Sequence, residues 1–320
     1  MNSERPDTLG RTSVMRMLLA GTVMVGGLWL AQGAVGPQPA IAQTAQRVRY
    51  GAMQAPGRID DPRIDQSSGL AASLHEPGLL WTHNDSGHKP TLYLLNRDGT
   101  TRASVTLKVS GTRDIEDVCS FELDGVPHLL VADVGDNRRQ RKSVSLFLIE
   151  EPQPYPGQNV RGLRVKRRID LTYADGPQDC ESVAFDPATR SILLVTKSWP
   201  DVATLSVPAA GLYVCPLGDD APKANGEPQV LERVADLTLK ITTAADMSPD
   251  GTRMVVMTYG DAYQYVREAD QTWAQVMAQA PTRIALSPRG QSEAVCYGLD
   301  GKTLWVTSEG KNRPLWRVSP

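Results

Sequence analysis

Residues 116–133 read EDVCSFELDGVPHLLVAD: a landmark, Glu116-Asp117-Val118-Cys119, a first apolar stretch, an Asp124-Gly125 turn, and a second apolar run, Leu129-Leu130-Val131-Ala132. Asp-Gly between two such runs is a strong hairpin signal, because both central positions of the tight turn need positive φ. The landmark returns as Ser68-Gly69-Leu70-Ala71, Glu181-Ser182-Val183-Ala184, Thr243-Ala244-Ala245-Asp246 and Glu293-Ala294-Val295-Cys296. First residues of successive copies lie 48, 65, 62 and 50 apart.

Working outward from each landmark, second strands are expected over 79–82, 129–132, 192–196, 254–258 and 303–307. Third strands are expected over 91–95, 144–149, 211–215, 262–266 and 314–318, and fourth strands over 104–109, 163–171, 230–239 and 282–286. Four strands repeated at this period describe a propeller blade. The last repeat lacks its fourth strand, and residues 47–50 near the other end of the chain are placed to supply it, which closes the ring and removes exposed sheet edges. The expected fold is therefore all-β, a β-propeller of five four-stranded blades closed by N- and C-terminal strands. Six blades is the alternative, since the long second and third repeats have room for an extra strand pair. No long 3.6-residue apolar pattern occurs between 43 and 320, which excludes a helical fold. Pro and Gly gather at 151–157 and 217–228, read as long loops because the landmark recurs across both; residues 43–320 are one domain.

Arg5, Arg11 and Arg16 precede an apolar run over 17–31, and Ala40-Ile41-Ala42 offers a small-x-small cleavage site. Residues 1–42 thus have the layout of a signal peptide, which predicts a secreted or periplasmic protein with no membrane span in the mature chain. The 34 Lys and Arg nearly balance 36 Asp and Glu, so no bulk field attracts nucleic acid or an anionic membrane. The four cysteines, Cys119, Cys180, Cys215 and Cys296, are too widely spaced for a metal clip, and either disulfides or buried thiols fit.

In a blade the start of the first strand adjoins the end of the antiparallel second, so both spots face one mouth of the channel. The first spot holds Glu116, Glu181 and Glu293, with Ser68 and Thr243 in the other repeats; the second holds Asp85, Asp133, Lys197, Tyr259 and Glu309. Six carboxylates from four repeats would converge there: Glu116, Glu181, Glu293, Asp85, Asp133 and Glu309, with Asp114, Asp117, Asp136 and Asp179 nearby. Like charges raise one another's pKa, and a hard cation with six to eight oxygen ligands relieves the crowding. Calcium suits this oxygen-rich set better than magnesium, which retains waters, or zinc, which wants His or Cys. The alternative is that these acids cap turns or pair with Arg113, Arg138, Arg139, Lys197 and Lys311. Asn84, Asp117, Asp136, Asn137, Lys197 and Tyr259 are further candidates for ligand contact.

No GxSxG, HExxH or GxGxxG motif occurs, and Gly301-Lys302-Thr303 lacks the earlier glycine of a phosphate loop. His83, beside Asp85 and Ser86, is read as a hydrogen-bonding residue of its loop, since neighbours on a strand alternate faces.

Trp81-Thr82-His83-Asn84-Asp85-Ser86-Gly87, Asp114-Ile115-Glu116-Asp117, Asp133-Val134-Gly135-Asp136-Asn137 and residues 243–251 together resemble a family of bacterial exported propellers related to phytase-like proteins. The resemblance implies calcium ions around an acidic mouth and hydrolysis of phosphomonoesters by a metal-activated water. The chain departs from propeller phytases in having five blades by count against their six. Basic residues to clamp a polyphosphorylated substrate are also sparse, with Lys197, Arg138, Arg139 and Lys311 as candidates. Two functions follow as expectations. One is a calcium-stiffened binding or scaffold module for a glycan or envelope protein. The other is a calcium-dependent phosphoester hydrolase acting on a small-molecule phosphoester, assisted by Lys197.

Overall fold

A computed structural model describes residues 47–200, 206–217, 226–287 and 291–320. Residues 1–42, read from sequence as a signal peptide, and most of the 217–228 loop lie outside the described residues. Among the described residues the first strand is β1 (Gln54–Ile59), and the first blade follows as β2 (Ser67–Ala72), β3 (Leu80–Asn84), β4 (Thr91–Leu95) and β5 (Thr101–Leu107). The second blade starts with β6 (Ile115–Leu123), β7 (Val126–Asp133) and β8 (Val144–Glu150). The chain then reaches back to add β9 (Asn159–Leu163), parallel to β5, on the edge of the first blade, before β10 (Arg167–Tyr173) completes the second.

The third blade repeats the manoeuvre. After β11 (Cys180–Asp186), β12 (Ser191–Thr196) and β13 (Gly211–Pro216), strand β14 (Gln229–Leu231) joins β10 in parallel, and β15 (Arg233–Asp236) returns to its own blade. The fourth blade is β16 (Thr242–Met247), β17 (Arg253–Thr258), β18 (Ala262–Val266), the short helix α1 (Trp273–Met277) and β19 (Thr282–Ile284). The fifth is β20 (Ser292–Tyr297), β21 (Leu304–Ser308), β22 (Arg313–Val318) and, outermost, β1.

The five innermost strands touch one another in a closed ring, β2–β6–β11–β16–β20, so the fold is a five-bladed β-propeller. The extra length of the second and third repeats is the backward reach of β9 and β14, not a sixth blade. Two expected fourth strands are corrected accordingly, since 163–171 and 230–239 each hold two segments that pair with different blades. The closing strand is also corrected. It is Gln54–Ile59 rather than 47–50, with Gly57 opposite Leu315 and a register shift between Gln54 and Gly57. Pro56 and Gly57 disguise it, yet an edge strand tolerates Pro because the missing N–H is on its free side. Tyr50 instead accepts a hydrogen bond from Gln264 Nε2 of the fourth blade (3.1 Å).

Blades pack face to face, and each of the five seams holds its own apolar cluster. Trp81 and Leu92 meet Leu129 and Phe147 between the first two blades, and Tyr173 meets Tyr213 edge-on between the next two. Burial on both faces explains why middle strands such as β12 read as unbroken apolar runs rather than alternating ones. The helix α1 begins with a capping box, Thr272 with Gln275, and buries Trp273, Val276 and Met277 over the third seam. Beside it Arg267 grips Asp186 of the third blade through two 2.8 Å hydrogen bonds and lies 4.7 Å from the Trp273 ring centre. All four cysteines are free and buried. Among the described residues no helix is long and apolar enough to cross a membrane.

Candidate metal centre

Pairing between first and second strands slips by one residue in every blade. The slip falls between Ser67 and Leu70, Ile115 and Asp117, Cys180 and Ser182, Thr242 and Ala244, and Ser292 and Ala294. The extra residue is thus Glu116, Glu181, Thr243 or Glu293 in four blades, and lies in Ser68-Gly69 in the first. The landmark is a β-bulge, a device that takes a side chain out of the strand's alternation and re-aims it. Where the bulge carries a hydroxyl, it ties to the next blade: Ser68 donates to the Glu116 carbonyl (2.8 Å) and Thr243 to the Ser292 carbonyl (2.7 Å). Where it carries a carboxylate, the acids face one another, and Glu116 and Glu293 both feel the charge of Glu181.

The tightest grouping is Asp85, just after β3, with Asp114 and Glu116; one carboxylate oxygen from each lies within 4.8 Å of the others. Burial, then the charge of Asp85 and a hydrogen bond with it, raises Asp114 to about 7. Glu116 is pushed well above the usual carboxylate range by burial, and further by Glu181, Asp85 and Asp114. Gly135 is the floor beneath them, since a Cβ there would stand 2.0 Å from Glu116 Oε1 and 2.6 Å from Asp114 Oδ2. Arg141 acts on Asp114 from a distance, its guanidinium already donating to Asp133 Oδ1 (3.0 Å) and to the Gly135 carbonyl (2.7 Å).

The other expected residues take different places. Asp133 Oδ1 accepts the Arg113 and Asp114 N–H groups (3.2 and 2.9 Å) as well as Arg141, so it braces the loop that carries Asp114. Glu181 forms a buried pair with Lys197 (3.0 Å), whose ammonium lies 4.8 and 5.1 Å from the Trp199 and Tyr259 ring centres. Burial raises Glu181 to about 8 against the pull of that lysine. Glu293 also rises to about 8, through burial and then a hydrogen bond with Glu309. Asp117, one residue below the bulge, accepts the Val118 and Val183 N–H groups (2.8 and 2.9 Å) and so bridges two blades. Asp136 accepts the Arg141 N–H (2.7 Å), and Asn137 beside it is exposed. Asn84 is consumed by its own loop, accepting from the Asp65 and Gln66 N–H groups and donating to the Arg63 carbonyl. His83, too, bonds locally, through Nδ1 and the Asn84 carbonyl (3.0 Å).

Asp114 and Asp179 stand two residues before Glu116 and Glu181, a second acidic row that the same register reveals once it is read one step earlier. Asp179 is fully buried, accepting from the Asp136 N–H (2.9 Å) and Trp199 Nε1 (3.0 Å). Nothing in the sequence marked Arg141 or Trp199, whose roles arise from loop paths.

No family model and no curated protein matches the sequence. The chain is similar in architecture to a gluconolactonase from Xanthomonas campestris, at 11% identity over 88% of this chain and 99% of that one, with a TM-score of 0.45. It is likewise similar to a luciferin-regenerating enzyme (12% identity, 82% and 96% covered, TM-score 0.45) and to the propeller of Dos1 (10%, 79% and 68%, 0.39).

Proposed function

We propose that the protein is an exported binding propeller whose acidic mouth holds a calcium ion between Asp85, Asp114 and Glu116 and presents the surrounding loops to a glycan or envelope protein. The trio carries this reading. Its carboxylates converge from two blades, with Glu116 buried and Asp85 and Asp114 half-buried, and have as near basic group an arginine already bound elsewhere. An all-oxygen donor set favours a hard cation, and a cation would offset the burial and repulsion that hold protons on Asp114 and Glu116. Export rests on the arginine-led apolar segment over 1–42 and its small-x-small site.

Calorimetric titration of residues 43–320 with calcium tests the metal. One saturable site is expected, weaker for magnesium and lost in Asp114→Asn/Glu116→Gln; calcium at 100 times Kd should stabilise the fold by about 2.7 kcal/mol. No saturable heat up to about 10 mM calcium removes the reading. Gly135→Ala supplies a finer probe. The atoms nearest its methyl belong to the Glu116 and Asp114 carboxyl groups, which can turn aside, so folding should survive while calcium affinity falls about tenfold, a loss of about 1.4 kcal/mol. Wild-type affinity in this variant would show that the ion sits elsewhere.

A second reading, calcium-dependent phosphoester hydrolysis, is favoured by Glu293, whose proton is retained to about 8 and could pass to a leaving oxygen. Bound calcium would neutralise phosphate charge, and Lys197 would assist. Calcium-dependent phosphate release from a panel of phosphomonoesters, abolished in Glu293→Gln, is the result this reading needs.

A further inference from the structure

The inner strands end together as well as begin together, and their far ends enclose a cavity of about 350 Å³ at the other end of the channel. Leu74, Phe121, Phe185, Asp246 and Tyr297 come from the first to fifth blades in turn, so the whole ring builds it. Asp246 stands three residues along β16 from the bulge residue Thr243, a rise of about 10 Å, and the cavity shares no lining residue with the Asp85–Asp114–Glu116 trio. Phe121 and Phe185 stack face to face, with ring centres 4.0 Å apart and planes at 16°, and as a pair they give the cavity a rigid apolar side. Asp246 is fixed at the edge of that space by the Tyr297 N–H, which donates to Oδ2 at 2.7 Å. Glu122 adds a second carboxylate, and no lysine or arginine is among the lining residues. The neighbouring arginines are occupied, Arg253 by Asp250 (2.6 Å) and Arg267 by Asp186 (2.8 Å).

We propose that this cavity is a second binding site, taking a small organic cation with a flat apolar body, an arylalkylamine, whose ammonium meets Asp246 while its ring packs against the Phe121–Phe185 pair. Apolar walls with one fixed carboxylate select this class. An anion would meet two like charges, and a neutral ligand would leave Asp246 without a counter-charge. The volume lies at the small end of small-molecule sites. Burial holds the Asp246 carboxyl up at about 7, and an ammonium beside it would draw it into the ionised form. Nothing here depends on a metal at the opposite mouth.

The test is titration with 2-phenylethylamine, 2-phenylethanol and phenylacetate near neutral pH, by calorimetry and ligand-observed NMR. The amine should bind at least about tenfold more tightly than the alcohol, and the acid not at all. Asp246→Asn should erase the preference for the amine. Leu299→Trp, which fills the cavity from a partly exposed position, should abolish binding. Both variants are checked against the parent by near-ultraviolet circular dichroism. If Asp246→Asn fails that check, Leu299→Trp decides, and unchanged binding there overturns the proposal. Equal affinity for amine and alcohol, a preference unchanged in a folded Asp246→Asn, or no saturable amine binding up to about 10 mM also overturns it.

Discussion

Stripped of divalent cations, the protein is expected to lose about 3–5 kcal/mol of stability as the pH rises from about 6 to about 8. Burial and mutual repulsion raise Asp114 to about 7, Glu181 and Glu293 to about 8, and Glu116 well above its usual value. The same carboxyls in the unfolded chain release their protons near pH 4. Between those limits the native state binds more protons, so the contribution is complete on the acid side and is lost as pH climbs through the folded values. Each carboxyl that keeps its proton contributes a slope of about 1.4 kcal/mol per pH unit, and coupling between neighbours makes the sum less than additive. Lys197 is raised further by Glu181 and stays charged in both states over this range, adding no slope. His83, lowered by burial, acts oppositely and flattens the curve below about pH 6.5. Urea unfolding in chelator at pH 6, 7 and 8 measures the effect. Calcium should cancel it, with affinity growing as pH rises because bound protons must leave first. Equal stability at pH 6 and 8 in chelator would mean that the acids do not share one enclosed space.

Replacing Arg267 by alanine should cost about 3–5 kcal/mol, the penalty for leaving a buried partner charge unpaired. Asp186 is 1% exposed, receives both arms of the guanidinium, and lies at the seam between the third and fourth blades. The arginine also covers Trp273 of α1, so its apolar contact is lost as well. Lys166→Ala makes the control, because the Lys166–Glu150 pair is more than half exposed, so water screens it and its loss should leave stability nearly unchanged. Urea midpoints at constant m-value compare the two. An Arg267→Ala variant no weaker than Lys166→Ala would show that the seam does not rely on this clamp.

The blade count, the inner three strands of each repeat and the two acidic rows were legible because burial on both faces leaves unbroken apolar runs between turn signals. The outer strands were not. At an edge half of the pairing is absent, so Pro56 and Gly57 are tolerated in β1, and short strands such as β14 carry no apolar signature of their own. Within the mouth, register predicted which residues share an end of the channel but not which of them touch. Glu181 and Lys197, aligned in the same two rows, bond to one another (3.0 Å), whereas Asp133 is turned into its own loop by two backbone N–H groups and Arg141. That choice depends on loop path, which a strand period does not encode.

Because β9 belongs by sequence to the second repeat and by pairing to the first blade, and β14 stands in the same relation to the third and second, the units of inheritance and of cooperativity differ here. Cutting out the second or third repeat would strip its predecessor of an edge strand as well as opening the ring. The first three blades should therefore gain and lose their slowest-exchanging amides together, while the fourth and fifth, joined by seams and by the closing strand alone, can open as separate steps.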